Sequence, residues 1–148
     1  MQIKQIEENF SISEQIVLED IKTLSDIGIK ILICNRPESE EANQLNNAEV
    51  ITEAESHGIE FVHIPSAGRE IPQESLALFV KTRKDCNGKM HAYCRTGARS
   101  SIFWGLAQAI DLPSQTVIEN AQKVGFDLTG VETQLLAINQ ISSITTSR

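Results

Sequence analysis

The stretch KMHAYCRTGARSSIFW, Lys89–Trp104, decides how the rest of the chain is read. A short apolar run ends at Cys94, the loop Arg95-Thr96-Gly97-Ala98-Arg99 follows, and Ser100 opens a strongly apolar segment. The pattern predicts a strand, a tight turn carrying a cysteine between arginines, and a buried helix over Ser101–Ile110. Such a turn is an anion site, because successive backbone N–H groups point inward and the helix N-terminus adds positive potential. A thiol held there should lose its proton easily. Gly97 suits a left-handed or closely approached backbone position. Arg99 is the natural partner of a bound oxyanion, since its fork donates two parallel hydrogen bonds. Arg95 points towards substrate, and Ser100 either caps the helix or hydrogen-bonds the sulfur.

Working outward, the chain alternates strands with helices. Residues 2–12 predict one or two short strands, and Leu18–Asp26 a helix whose stripe is Leu18, Ile21 and Leu24. Lys30–Cys34 (KILIC) predicts a buried strand, ended by Asn35, Arg36 and Pro37. Helix Ala48–Ser56, strand Glu60–Ile64 and helix Gln73–Lys84 come next, then the strand Lys89–Cys94. Helices over Pro113–Val124 and Val131–Gln140 complete the chain, with the tail ISSITTSR expected to fray. Short apolar strands separated by helices imply an α/β fold: a mostly parallel, four- or five-stranded central sheet with helices on both faces, in three layers. Ligands of such sheets bind outside the carboxyl ends of the strands. Cys94, the Asn35–Arg36 loop and the Ser66–Glu70 loop all fall at such ends, so Arg36, Ser66 and Glu70 join the candidate site.

The 148 residues allow one domain with a sizeable core, about residues 10–140. A net charge of −7 argues against nucleic acid or an anionic membrane as the main partner, so anion binding must rest on a local basic patch. The expected partner is a small anionic substrate. The N-terminal MQIKQIEENF lacks an apolar signal core and no run approaches a membrane span, so the expected location is the cytoplasm. Three cysteines without regular spacing suit a reducing compartment. No His/Cys spacing suggests a metal, and no cofactor is expected. Cys34 reads as a buried apolar residue, Cys86 as an exposed loop residue with a conceivable resolving role, and His91 as a structural histidine on the strand face opposite Cys94. Glu38–Glu41 reads as a solvated acidic loop.

Gly28-Ile29-Lys30 through Asn35-Arg36-Pro37-Glu38, followed by Tyr93-Cys94-Arg95-Thr96-Gly97-Ala98-Arg99-Ser100, resembles the beta-lactamase-hydrolase-like, phosphatase-like domain family. The resemblance runs from about Phe10 to about Leu128. It implies a fold related to dual-specificity and tyrosine phosphatases. Some members of that family are fused to metallo-beta-lactamase-like and sulfide-oxidising modules, and some are named sulfur transferases.

Three departures from true tyrosine phosphatases bear on the chemistry. Their signature leaves five residues between cysteine and arginine, whereas four, Arg95 to Ala98, stand here. Tyr93 replaces their histidine before the cysteine. Their aspartate general acid has no counterpart in Pro65–Glu70, where Glu70 is the only carboxylate. The loop Cys-Arg-Thr-Gly-Ala-Arg-Ser resembles that of single-domain rhodaneses, whose cysteine carries sulfur as a persulfide. Three readings follow. The one the sequence favours is sulfur transfer on Cys94, with Arg99 or Arg95 binding the anion. Hydrolysis of phosphate monoesters through phosphocysteine is the alternative, and a non-catalytic anion- or protein-binding domain is the third.

Overall fold

The computed structural model describes residues 1–146, with side chains to residue 143. Its centre is a five-stranded sheet in the order β1-β2-β5-β3-β4, formed by Lys4–Glu7 (β1), Phe10–Ser13 (β2), Ile29–Cys34 (β3), Glu60–His63 (β4) and Lys89–Tyr93 (β5). β1 is antiparallel to β2; the other neighbouring pairs are parallel. The sheet therefore has the mostly parallel character that the alternation of elements predicts.

Side-chain alternation divides the core in two. Ile31 and Ile33 of β3 and Met90 and Ala92 of β5 face one cluster, while Leu32, Cys34 and Tyr93 face the other. The first cluster is covered by α3 (Gln73–Asp85), α4 (Ala98–Gln108), α5 (Ser114–Gln122) and α6 (Glu132–Thr146); the second by α1 (Leu18–Asp26) and α2 (Asn47–Ser56). Helix α4 is the central one. Ser100 through Ala107 are all buried, which is why its sequence lacks a polar face. A Cβ on Gly105 would lie 2.6 Å from Leu128 Cδ1, so only glycine lets α4 pack this closely against the segment after α5.

Helix boundaries differ from the sequence expectation at two places, each for a local reason. α4 starts at Ala98 and not at Ser101, because Gly97, at φ +95°, turns the chain directly into the helix. Arg99 consequently sits on the first turn of a rigid helix. The C-terminal segment does not fray after Gln140; α6 continues to Thr146 behind a 3₁₀ turn at Thr129–Val131. It is anchored by Asn139, whose Nδ2 donates to the carbonyls of Ala109 and Leu112 at 2.7 and 2.8 Å and whose Oδ1 accepts from Ser114 N–H. The Ser142 hydroxyl donates to the Ile110 carbonyl one turn on. The final two positions of the expected frayed tail, 147–148, lie outside the described residues.

The hairpin β1–β2 is tied down by Glu7, whose carboxylate accepts from Trp104 Nε1 at 3.2 Å and Gln108 Nε2 at 3.1 Å and pairs with Arg83. One half-buried carboxylate thus links β1 to α3 and α4.

Candidate active site

The loops that leave the parallel strands at their carboxyl ends are stitched together by backbone bonds before any side chain acts. Asn35 N–H donates to Tyr93 O at 2.8 Å, Ser66 N–H to Asn35 O at 3.1 Å, and Gln15 N–H to Arg95 O at 3.1 Å. The segments after β2, β3, β4 and β5 therefore meet around one point. Cys94 is at that point and is fully buried. Gly97 N–H donates to Cys94 Sγ at 3.1 Å, so the first inward amide of the loop already serves the sulfur. The Ala98 amide bonds Thr96 Oγ1 at 3.3 Å, which fixes the rest of the turn. Ser100 Oγ is buried with no hydrogen-bond partner among the described residues. Gly97, not Ser100, occupies the N-cap of α4, so the Ser100 hydroxyl is not a cap.

Arg99 grips an anion in the structure itself. Nη1 and Nη2 each donate to one oxygen of Glu40 at 2.8 Å, and Nη1 donates also to Ser66 O at 2.8 Å. The bonds to Glu40, with smaller contributions from Cys94, hold the guanidinium firmly charged. Glu40 in turn has its carboxyl pulled down to about 2, first by Arg99 and then by Arg36.

The acidic run Glu38–Glu41 is exposed, as a solvated loop should be, but two of its carboxylates are committed to arginines. Glu40 bridges Arg99 and Arg36, and Glu41 bridges Arg36 and Arg95 at 2.7 Å each. Ser39, at φ +57°, turns the chain between Glu38 and this pair of carboxylates. The expectation that Arg36 binds substrate is corrected by the same contacts. Its side chain is 4% exposed, and Nε, Nη1 and Nη2 donate to Glu40, Gln15 and Glu41 at 2.8, 2.9 and 2.7 Å. Arg36 organises the acidic loop instead. His63 supports it from β4, with Nε2–H donating to the Arg36 carbonyl at 2.8 Å.

Of the remaining sequence candidates, Ser66 reaches the site through its carbonyl on Arg99 while its hydroxyl bonds Gly68 O at 2.8 Å. Arg95 is exposed, with Nε on Glu41. Glu70 is exposed on the loop after β4. Cys34 is sealed: burial pushes its thiol up, and Sγ donates to Arg36 O at 3.4 Å. Cys86 lies before β5, about 17 Å of strand away from Cys94, which removes it as a resolving thiol. His91 is wholly buried between Ser11 and Ser13, as a structural histidine should be. Glu40, Glu41 and Gln15 are the members that sequence reasoning missed. Their only local signal is the i,i+4 spacing of Arg36 and Glu40.

The cysteine loop has little room to vary. A Cβ on Gly97 would stand 3.2 Å from Phe126 Cε1 and 3.5 Å from Ile12 Cγ2, at a φ that L side chains rarely adopt. Gly97→Ala is expected to cost about 1–3 kcal/mol in denaturant unfolding and to displace the amide that serves Cys94. An unchanged midpoint would show that the loop can relax.

Residues 2–111 match the family described as the Beta-lactamase hydrolase-like protein, phosphatase-like domain. The chain belongs to that family. A Beta-lactamase hydrolase-like protein of Agrobacterium fabrum is 31% identical over 130 residues, covering 86% of this chain and 30% of the relative. This chain spans about a third of the length of the curated relatives it matches. Among solved structures, a candidate phosphatase from Neisseria meningitidis has 33% identity and a TM-score of 0.81, covering 91% of this chain and 96% of that one. PTPMT1 in complex with PI(5)P, at 15% identity, has a TM-score of 0.74 and covers 99% of this chain and 97% of its own. That likeness is one of fold. Members of the phosphatase-like domain family thus share a tyrosine-phosphatase-like architecture with this chain. The comparisons lend no support to sulfur transfer, the reading the sequence favoured, and fit the phosphatase alternative better.

Proposed function

We propose that the chain is a phosphatase-type hydrolase that cleaves phosphate monoesters through a phosphocysteine on Cys94. The observation that carries this reading is Arg99, whose two terminal nitrogens already chelate a carboxylate beside the cysteine loop. The same planar fork suits two oxygens of a phosphoryl group that takes the place of the Glu40 carboxylate. In the first step the Cys94 sulfur attacks phosphorus, the P–S bond forms and the ester P–O bond breaks. The electron pair leaves with the alcohol oxygen, which takes its proton from solvent or from Glu70. In the second step water attacks phosphorus, the electron pair returns to sulfur, and inorganic phosphate departs. The loop amides, with Gly97 N–H already on Sγ, stabilise the charge that builds on the equatorial oxygens and on the departing sulfur. Because Glu70 is exposed and unanchored, esters with good leaving groups, such as aryl phosphates, should turn over best.

One observation keeps sulfur transfer as a second reading: four residues, not five, separate Cys94 from Arg99. The two are separated by a side-by-side assay. Rapid quenching with an aryl phosphate should trap a phosphoryl group on Cys94, while incubation with thiosulfate should leave its mass unchanged. A Cys94 heavier by one sulfur atom, with no phosphoryl adduct, would reverse the order.

Glu40 tests the role of the acidic loop. If it orients Arg99, Glu40→Gln should lower kcat/KM for an aryl phosphate about tenfold to hundredfold, since charge-assisted bonds to two arginines are lost. An increase in kcat/KM would mean that displacing Glu40 costs more than its orientation of the arginine contributes.

A further inference from the structure

Four arginines stand at the carboxyl end of the sheet, and three of them are neutralised. Arg36, Arg95 and Arg99 each pair with Glu40 or Glu41. The fourth, Arg69, is exposed and has no hydrogen bond or ion pair among the described residues. It belongs to the loop after β4, three residues beyond Ser66, whose carbonyl is bonded to Arg99. Three residues span at most about 10 Å of chain, so Arg69 is a rim residue of the same site.

Its guanidinium has a defined place. A Cβ on Gly130 would lie 2.9 Å from Arg69 Nη1, so the group rests against the backbone of that glycine. The segment 126–130 meets the cysteine loop at its other end, where Phe126 closes on Gly97. Arg69 and the cysteine loop therefore share one wall. Two carboxylates are nearby. Glu70 is adjacent in sequence and exposed. Asp127 has Oδ1 committed to the amide and hydroxyl of Thr129 at 2.9 and 2.6 Å, and these bonds, with a lesser through-space contribution from Arg69, hold its carboxyl below the ordinary range. Neither carboxylate forms an ion pair with Arg69. In a chain of net charge −7 whose other site arginines are all paired, Arg69 is the arginine left to meet a ligand, while Lys4, its Nζ 5.2 Å from the Phe126 ring centroid, is held on the ring at the opposite end of the wall.

We propose that Arg69, resting on Gly130 beside the cysteine loop, is a second anion-binding point that selects phosphate esters carrying a further anionic group on the leaving side. The proposal rests on the phosphatase reading for the position of the reacting phosphate. The leaving group is held over the wall at 126–130, where Phe126 supplies an apolar surface and Arg69 the charge. A neutral leaving group makes the first contact only.

The test uses two aryl phosphates of equal shape, 4-(carboxymethyl)phenyl phosphate and its amide, 4-(carbamoylmethyl)phenyl phosphate. Their binding is measured by calorimetry on Cys94→Ser, and again on Cys94→Ser with Arg69→Gln. The acid should bind about fivefold tighter than the amide, and that ratio should fall to about one when Arg69 is replaced. Equal binding of the two esters to Cys94→Ser, or a ratio that survives Arg69→Gln, overturns the proposal. Turnover of both esters by the unsubstituted chain is followed in parallel. Binding with the expected ratio but without hydrolysis would refute the phosphatase reading while leaving the second anion point standing.

Discussion

Cys94→Ser is expected to lower aryl phosphate hydrolysis about 10⁴-fold or more, to the level of the buffer. The substitution changes one atom at the centre of the site and leaves its frame in place. Serine is nearly isosteric, the Gly97 amide still has an acceptor, and Arg99 remains held by Glu40 and Ser66. What is lost is a nucleophile able to attack at neutral pH, since a hydroxyl there has no adjacent base; His91 is on the far face of β5, engaged with Ser11 and Ser13. Steady-state hydrolysis of an aryl phosphate checks the loss, and retained binding of inorganic vanadate checks that the loop survives. Residual turnover within tenfold of the unsubstituted chain would mean that the phosphoryl group is never transferred to Cys94.

The second large effect concerns stability in acid. His91 is completely buried, and burial pushes its imidazole down to about 3. The two serines fix its neutral form. Ser13 Oγ–H donates to Glu14 O at 2.8 Å, so Nε2–H donates to Ser13 Oγ at 2.8 Å and Nδ1 accepts from the Ser11 hydroxyl at 2.7 Å. In the unfolded chain the imidazole titrates near 6.5. Above that value neither state binds the proton and His91 contributes no pH dependence. Between about 6.5 and 3 the unfolded state takes it up and the folded state does not. Stability therefore falls as pH falls, by about 1.4 kcal/mol per unit once the unfolded imidazole is charged. From pH 7 to pH 5 the cost is about 2 kcal/mol. Urea unfolding at the two pH values checks it against His91→Gln, which carries no titrating group there. The variant should be less stable at pH 7 and should lack this part of the loss. An identical pH dependence in both proteins would assign the acid sensitivity elsewhere.

Much of the fold was legible because it is written in short periods. The runs Lys30–Cys34 and Lys89–Cys94 read as strands from composition alone, and the all-round apolar face of Ser101–Ile110 announced a central helix. Cys94, Gly97 and Arg99 were legible as a unit because a cysteine, a left-handed glycine and an arginine fall within six residues. Arg36 was misread as a substrate ligand because position at a strand end signals proximity to the site, not what the side chain does there. Its partners Gln15 and Glu41 are 21 and 5 residues away, and neither carries a local mark of the contact.

The sequence by itself determined that a cysteine in a tight strand-to-helix turn sits at the carboxyl end of a mostly parallel sheet, since strand period, glycine and helix start are all local properties. It also determined the spacing of Cys94 and Arg99, which pointed towards sulfur. Only the tertiary structure decided how the arginines are used. Glu40 lies 59 residues from Arg99, and the bidentate pair between them exists because β3 and β5 are neighbours in the sheet. That pairing fixes the Arg99 guanidinium beside the cysteine loop, commits Arg36 to the frame, and leaves Arg69 as the site arginine without an ion pair among the described residues.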